Sequence, residues 1–191
     1  MTLLDLCNTQ QYDTDKFFGH PFQWHSYIEN FYSKTFANKQ HTARNVLEVG
    51  IYTGGSLKLW RDYFVNATVF GIDTRSTDLL SEFTLSFNEL RMYQIYGDAY
   101  SDELVQSLKD SYYDIIIDDG PHTLESQCIF AQNYFDKLKP GGYFVCEDIS
   151  SIENWYEIKN FLPMEYQDKT QLIDLREIDN RYDSIILFVE K

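Results

Sequence analysis

Short apolar runs rich in β-branched and aromatic residues alternate with helical patterns five times between residues 45 and 148. The strongest run, Tyr113–Asp119, is continuously apolar at its centre, as expected of a central strand covered on both faces. Such alternation implies right-handed crossovers and a mainly parallel sheet. Two further runs, 171–174 and 184–189, lie too close together for a long crossover, so we expect an antiparallel hairpin at one edge. The sequence therefore predicts a doubly wound α/β fold with a mainly parallel seven-stranded sheet.

The 191 residues fit a single domain, 1–191, which buries roughly 70% of its unfolded surface. We expect a helical N-terminal cap segment, 1–44, in front of a core, 45–191. Within the cap, about the first twenty residues have no regular pattern, whereas His25–Ala37 carries an apolar helical stripe. A helix is also predicted from the spacing of four apolar residues, Leu79, Leu80, Phe83 and Phe87.

Acidic residues outnumber basic ones, 30 to 16, for a net charge of -14. Because binding to phosphate backbones and anionic lipid relies on clustered Lys and Arg, we expect neither nucleic acid nor a membrane as partner. A small polar molecule, a sugar or a divalent metal remains open. The N-terminus lacks signal-peptide features, and Cys7, Cys128 and Cys146 are widely spaced, so free thiols in a cytoplasmic protein are expected.

Ligands of doubly wound sheets bind beyond the carboxyl ends of the strands, near the switch point of strand order. In this sequence, acidic residues stand at the ends of all five predicted parallel strands. They are Glu48, Asp73, Asp98, Asp119, Glu147 and Asp148. The strand ends are therefore the place to look for chemistry.

The first strand ends in a glycine turn that runs from Glu48 through Gly50 and Gly54 to Ser56. Dinucleotide enzymes carry G-x-G-x-x-G at this place, but this turn reads G-x-x-x-G-G and follows an acid. An acid disfavours a pyrophosphate and favours an ammonium or sulfonium group. The alternative is an ordinary strand-to-helix turn.

Acids after the second and third strands are candidates for binding a nucleoside. Asp73 can accept both hydroxyls of a ribose, or it is a solvated loop carboxylate. Asp98, next to Ala99, can accept from an adenine amino group, or it caps the following helix. We also place Asp118 at the cofactor site, with a capping or salt-bridge role as its alternative.

Three acids after the fourth and fifth strands, Asp119, Glu147 and Asp148, should lie close together and repel one another. A hard divalent cation such as Mg²⁺ would resolve that repulsion, because it prefers oxygen ligands. Since strand neighbours alternate between faces, Asp119 rather than Asp118 is expected to face the site. His122 is a candidate general base, and the alternative is a histidine with no chemistry.

The motifs, taken in order, resemble those of the class I S-adenosylmethionine-dependent methyltransferases. The motifs are Leu47-Glu48-Val49-Gly50, Gly54-Gly55-Ser56, Gly71-Ile72-Asp73, Asp118-Asp119-Gly120 and Leu138-Lys139-Pro140-Gly141-Gly142. The Asp-Asp-Gly-x-His segment and the Glu-Asp pair resemble metal-dependent macrolide-sugar O-methyltransferases of the mycinamicin type. Thr14-Asp15-Lys16, His25-x-Tyr27 and Tyr32 resemble the segment before the domain in that group. The resemblance covers about Thr14 to Asp148.

The resemblance implies a Rossmann-like methyltransferase fold and S-adenosyl-L-methionine as cofactor. It also implies that Glu48, Gly50 and Ser56 hold the methionine part, Asp73 the ribose and Asp98 the adenine edge. Mg²⁺ would bind Asp119, Glu147 and Asp148, with His122 as the base and a sugar hydroxyl as acceptor.

Three other functions remain open at this point. Catechol-type O-methyltransferases end their fifth strand with Asp-Asn, whereas this chain has Glu147-Asp148, which favours the sugar group. The second alternative is an NAD-dependent sugar oxidoreductase or epimerase, which would need a G-x-G-x-x-G motif that this sequence does not contain. The third is a non-catalytic binding protein with the same fold. We expect no auxiliary domain of the kind that macrolide enzymes carry, so the acceptor and a homo-oligomeric state also stay open.

Overall fold

The computed structural model describes residues 1–10, 12–17, 25–75 and 91–191 and contains a seven-stranded sheet in the order β3-β2-β1-β4-β5-β7-β6. The strands are β1 (Asn45–Val49), β2 (Thr68–Asp73), β3 (Met92–Tyr96), β4 (Tyr113–Asp118), β5 (Leu138–Cys146), β6 (Gln171–Asp174) and β7 (Ile185–Glu190). β1 to β5 pair in parallel, and β7 is antiparallel to both β5 and β6. The predicted fold class and the edge hairpin are confirmed.

Alternate residues of the central strands enter two separate apolar cores, one on each face of the sheet. In β4, Ile115 and Ile117 belong to one core and Ile116 to the other. All three are fully buried. This double coverage explains why the sequence of β4 is continuously apolar rather than alternating.

Helices cover both faces of the sheet. They are α1 (Leu3–Thr9), α2 (Ser33–Thr35), α3 (Gly55–Tyr63), α4 (Asp102–Ser107), α5 (Leu124–Tyr134), α6 (Ile152–Lys159), α7 (Met164–Gln167) and α8 (Arg176–Asp179). A π-helical turn, Ile28–Tyr32, leads into α2, so the helical stripe predicted in this region is confirmed. The helix predicted from Leu79, Leu80, Phe83 and Phe87 lies outside the described residues.

The expectation of irregular structure over about the first twenty residues is wrong, because α1 forms there. Thr2 and Asp5 make a reciprocal capping box, which satisfies backbone donors at the start of the helix. Leu3 and Leu6 are buried in the core that also holds Trp60 of α3. Local capping together with an apolar face stabilises this short helix.

The proline and glycines at 139–142 predict a break between a helix and a fifth strand that begins at Tyr143. The structure shows no such break. Instead β5 already begins at Leu138, which pairs with Tyr113, and the register then shifts before Ile115 pairs with Tyr143. The proline and glycines therefore form an irregularity inside the strand, where backbone pairing is interrupted.

None of the helices within the described ranges is long and apolar enough to cross a membrane. Cys7, Cys128 and Cys146 are free, as predicted, and all three are buried.

Candidate active site

A cleft of about 910 Å³ lies at the carboxyl ends of β1, β2, β3 and β4, with residues 13–15 on another side. The predicted cofactor residues that line it are Gly50, Ser56, Asp73, Asp98 and Ala99. Asp119 and His122 line it as well. Glu48 and Asp118 are buried, at 0% and 1% exposure, and Gly54 stands just before α3; these three are not among the described lining residues.

The glycine turn allows three parts of the backbone to approach one another closely. Gly50 has φ 87°, and a Cβ at this position would lie 1.9 Å from the carbonyl oxygen of Asp119. A Cβ on Gly55 would lie 1.8 Å from the carbonyl oxygen of Asp13. Only glycine fits such contacts, so the turn joins the end of β4 to the N-terminal segment.

Asp73 reaches across to the glycine turn. Its Oδ2 accepts from the backbone N–H of Ile51 at 2.9 Å, and the Arg75 guanidinium donates to both carboxylate oxygens. Although burial alone would raise it, the pKa of Asp73 is lowered by hydrogen bonds from Arg75 and from the backbone. The carboxylate is thus ionised and already preorganised to accept hydrogen bonds at the cleft.

Asp98 does not have the helix-capping role that was the alternative to binding a nucleoside. Ser101, not Asp98, caps α4, because its side chain accepts from the backbone N–H of Leu104. Asp98 is exposed at the cleft and accepts from the N–H of Tyr100 at 3.0 Å.

Asp118 supports the cleft wall from behind. Its Oδ1 accepts from the Tyr100 hydroxyl at 2.6 Å, and the Cys146 thiol lies 3.7 Å from Oδ2. Burial raises the pKa of Asp118 to about 7. Tyr100 itself lines the cleft, so Asp118 acts on the cleft through this tyrosine.

Glu48 lies beneath the glycine turn rather than in the cleft. Its Oε2 accepts from the Ser56 hydroxyl at 2.8 Å and from the Trp60 indole at 3.2 Å. Burial raises the pKa of Glu48, although Lys16, 3.6 Å from Oε1, works in the opposite direction. The side chain places a carboxyl group directly under the cleft floor.

Parallel pairing of β4 with β5 brings Asp119 next to the Glu147-Asp148 pair. Asp118 is in register with Cys146, and the backbone N–H of Glu147 donates to the carbonyl oxygen of Asp118 at 3.0 Å. Asp119 and Glu147 share one hydrogen-bond donor, and Asp119 and Asp148 both lie within 4 Å of His122. The structure therefore gathers the three acids predicted from the sequence.

The shared donor is Lys16, a residue with no role predicted from the sequence. Its Nζ lies 2.5 Å from Asp119 Oδ2 and 2.5 Å from Glu147 Oε2. The side chain is 1% exposed. Burial alone would lower the pKa of Lys16, but the carboxylates around it raise that pKa well above the usual value. The protein itself therefore supplies a positive charge to the acids that the sequence predicts to converge.

Other side chains of the N-terminal segment hold the same acids. The Tyr32 hydroxyl donates to Glu147 Oε1, and the Tyr27 hydroxyl donates to Asp148 Oδ1, both at 2.5 Å. His25 stacks on Tyr27 and places Nε2 3.6 Å from Asp148 Oδ1. The Thr14–Lys16, His25-x-Tyr27 and Tyr32 motifs are the sequence signal for these contacts, although the motifs by themselves indicate no chemistry.

His122 faces the cleft from a strained backbone position, with φ 56°. Its Nε2 lies 3.5 Å from Asp148 Oδ2 and 3.8 Å from Asp119 Oδ1. Nδ1 is buried and has no hydrogen-bond partner in the described part of the chain. Burial lowers the pKa of His122, so the imidazole is neutral near pH 7.

Two groups of donor atoms lie within 4.8 Å of one another and could hold a cation. One group, Glu48, Asp119 and Glu147, is already in contact with the Lys16 ammonium. The other, Asp119, His122 and Asp148, includes two carboxylates and a cleft-lining histidine. Oxygen donors of this kind fit a hard divalent cation at the second group.

Comparison with known proteins bears on the fold. A structure of the MycE methyltransferase of mycinamycin biosynthesis with Mg and SAH superposes with a TM-score of 0.70, at 21% identity, over 100% of this chain and 55% of that one. Aeropyrum pernix fibrillarin with bound S-adenosyl-L-methionine gives 0.59 at 16% identity, over 78% of this chain and 67% of that one. The chain has the class I methyltransferase fold.

Sequence comparison relates this methyltransferase fold to sugar O-methyltransferases, although no family model matches. The 8-demethyl-8-(2-methoxy-alpha-L-rhamnosyl)-tetracenomycin-C 3'-O-methyltransferase of Streptomyces olivaceus is 30% identical over 135 residues, 66% of this chain and 33% of that protein. The mycinamicin VI 2''-O-methyltransferase of Micromonospora griseorubida is 29% identical over 151 residues, 74% of this chain and 35% of that protein. The chain thus resembles the predicted group and spans about a third of the length of these relatives.

Proposed function

We propose that this chain is an S-adenosyl-L-methionine-dependent O-methyltransferase acting on a hydroxyl of a small polar acceptor, a sugar of a glycosylated natural product. One observation carries the proposal. A single cleft joins the glycine turn and Asp73 to the cluster of Asp119, His122 and Asp148. The names of the related enzymes, which methylate sugars of tetracenomycin and mycinamicin, support the same acceptor class.

The cofactor would occupy the part of the cleft between β1 and β3. Its methionine part would lie along the turn from Gly50 through Gly54 to Ser56, above the buried Glu48 carboxyl. An acid under this turn favours the positive sulfonium and ammonium groups. Asp73 would accept from the ribose hydroxyls in place of Arg75.

The adenine would lie at the end of β3, against Asp98 and Ala99. Asp98 is exposed there and able to accept from an amino group. Asp118 would contribute by fixing the Tyr100 hydroxyl in the adjoining wall.

A divalent metal, which we take to be Mg²⁺, would be held by Asp119, Glu147 and Asp148. Asp119 Oδ1 and Asp148 Oδ2 are both turned toward His122. Glu147 is engaged by Lys16 at Oε2 and by Tyr32 at Oε1, so it would bind the metal by exchanging the Tyr32 hydroxyl at Oε1. Bound at these acids, the metal would orient the acceptor and lower the pKa of its hydroxyl.

His122 would act as the general base. The acceptor oxygen would attack the methyl carbon of bound S-adenosyl-L-methionine, the carbon–sulfur bond would break to leave S-adenosylhomocysteine, and the hydroxyl proton would pass to the neutral imidazole. Asp148 and Asp119, 3.5 and 3.8 Å from Nε2, would stabilise the resulting imidazolium. Holding donor and acceptor in line can contribute on the order of 7–11 kcal/mol to the rate.

The proposal extends to the organisation of the chain as one domain, 1–191, with segment 1–44 as a cap on the core, 45–191. Side chains of the cap, including Tyr27 and Tyr32, bind acids of the core. Free, buried cysteines are consistent with a cytoplasmic setting.

Methyl transfer from S-adenosyl-L-methionine to a panel of rhamnosides, other glycosides and catechols, with Mg²⁺ or with excess EDTA, tests the proposal. We expect Mg²⁺-dependent methylation of a glycoside. Binding of S-adenosylhomocysteine, with NAD as the comparison ligand, is measured by calorimetry. Catechol turnover alone would select the catechol-type alternative, and NAD binding without S-adenosylhomocysteine binding would contradict the proposal.

A further inference from the structure

Lys16 is fixed by its backbone as well as by its side chain. Its carbonyl oxygen accepts from the N–H of Ile28 at 3.0 Å, and its own N–H donates to the Thr14 hydroxyl at 3.4 Å. The ammonium group is 1% exposed and has carboxylate oxygens of Asp119 and Glu147 at 2.5 Å. Water cannot replace these partners at such a buried position.

Lys16 contributes a positive charge to a cluster of buried acids. Glu48 and Glu147 are fully buried, and Asp119 is 20% exposed at the side chain. Among the lysines and arginines of the described residues, Lys16 is the one that forms salt bridges with these three acids. Three carboxylates gathered in a low-dielectric interior would repel strongly without it.

We propose that Lys16 is a positioning residue whose ammonium is the permanent counter-cation of the acid cluster. It keeps Asp119 and Glu147 assembled at the base of the cleft whether or not a divalent cation is bound. The inference rests on the proposed function only in treating Asp119 and Glu147 as residues of the active site.

The test measures thermal unfolding of the full chain in EDTA and in Mg²⁺, without cofactor. Lys16→Met keeps an unbranched side chain of similar length and removes the charge. We expect its Tm in EDTA to fall by about 6 °C or more, because uncompensated buried charges are costly. Mg²⁺ should raise the Tm of this variant more than that of the wild type, since added charge replaces the lost ammonium. Lys34→Met, an exposed lysine in the same segment, makes the same change in net charge and should leave Tm unchanged.

A double variant separates charge from packing. Glu147→Gln removes one acid yet can still accept from Tyr32, so Lys16→Met/Glu147→Gln should recover at least half of the lost Tm. The single variant Glu147→Gln completes a double-mutant cycle, which gives the coupling energy between Lys16 and Glu147. If Lys16→Met does not fold, folding of the double variant carries the same information.

Equal Tm values in EDTA for Lys16→Met and the wild type would overturn the inference, as would a double variant no more stable than Lys16→Met. Calorimetric titration of the wild type with S-adenosylhomocysteine separates the two proposals. Failure of the wild type to bind it contradicts the methyltransferase function, whereas the Tm differences that test Lys16 are measured without cofactor and stand independently.

Discussion

Lys16 and Glu147 are 131 residues apart in the sequence, and their charged atoms Nζ and Oε2 lie 2.5 Å apart. The contact closes the N-terminal segment onto the carboxyl ends of β4 and β5. The segment therefore does more than cover the sheet, because it carries hydrogen-bond donors to acids proposed as metal ligands.

Asp73→Asn should weaken S-adenosylhomocysteine binding by about 10-fold or more, because an amide is a poorer partner than a carboxylate for two ribose hydroxyls. The matched control is Asp174→Asn. Asp174 makes the same fork with Arg176 at the end of β6 that Asp73 makes with Arg75. Calorimetry should show unchanged affinity for the control, and equal affinities for both variants would remove Asp73 from the cofactor site.

His122→Asn should reduce kcat by about 100-fold or more, which is the low end of general base catalysis. S-adenosylhomocysteine affinity and Tm should stay close to those of the wild type. The control is His41→Asn at an exposed position. Steady-state methyl transfer checks the prediction, and undiminished turnover in His122→Asn would show that another group takes the proton.

The pH profile gives an independent test of the same histidine. Burial lowers the pKa of His122 below 6.5, so the neutral, proton-accepting form persists through pH 7. We expect the acidic limb of kcat/KM that reports protonation of His122 to have its midpoint below pH 6.5. An acidic limb with a midpoint above 6.5 would contradict this assignment.

Asp148→Asn should lower the affinity for Mg²⁺ by about 10-fold or more, because a neutral amide is a weaker ligand for a hard cation. The amide oxygen can still accept from Tyr27, so the fold should be kept. Asp168→Asn, an exposed position, changes the net charge equally and should bind Mg²⁺ as the wild type does. Calorimetric titration with Mg²⁺ measures the affinity of each protein. Equal affinities of the wild type, Asp148→Asn and Asp168→Asn would show that Asp148 does not bind the metal.

Asp118→Asn should stabilise the fold at pH 8 by about 1 kcal/mol or more relative to the wild type. The pKa of Asp118 is raised to about 7 in the folded state, above the value near 3.8 for a free side chain. The wild type therefore loses stability as pH rises from about 4 to 7, whereas an asparagine does not titrate. Urea unfolding at pH 4 and pH 8 measures the effect, and a gain that is the same at both values would contradict it.

The succession of strands along the chain and the acids at their ends could be predicted because both are local patterns. Periodicity and β-branched runs identify a strand such as β4, and parallel pairing then brings strand-end residues together at one edge of the sheet. The convergence of Asp119, Glu147 and Asp148 follows from this rule. The short helix α1 was missed because its stability depends on a capping box and on burial of Leu3 and Leu6 against the core.

The sequence by itself determined the alternation of strands and helices, the glycine turn and the position of each acid, since these features depend on near neighbours in the chain. Only the tertiary structure decided what surrounds the acids. Lys16, Tyr27 and Tyr32 reach them from more than a hundred residues away. Compensation of buried charge depends on distance in space, and no spacing along the chain encodes it.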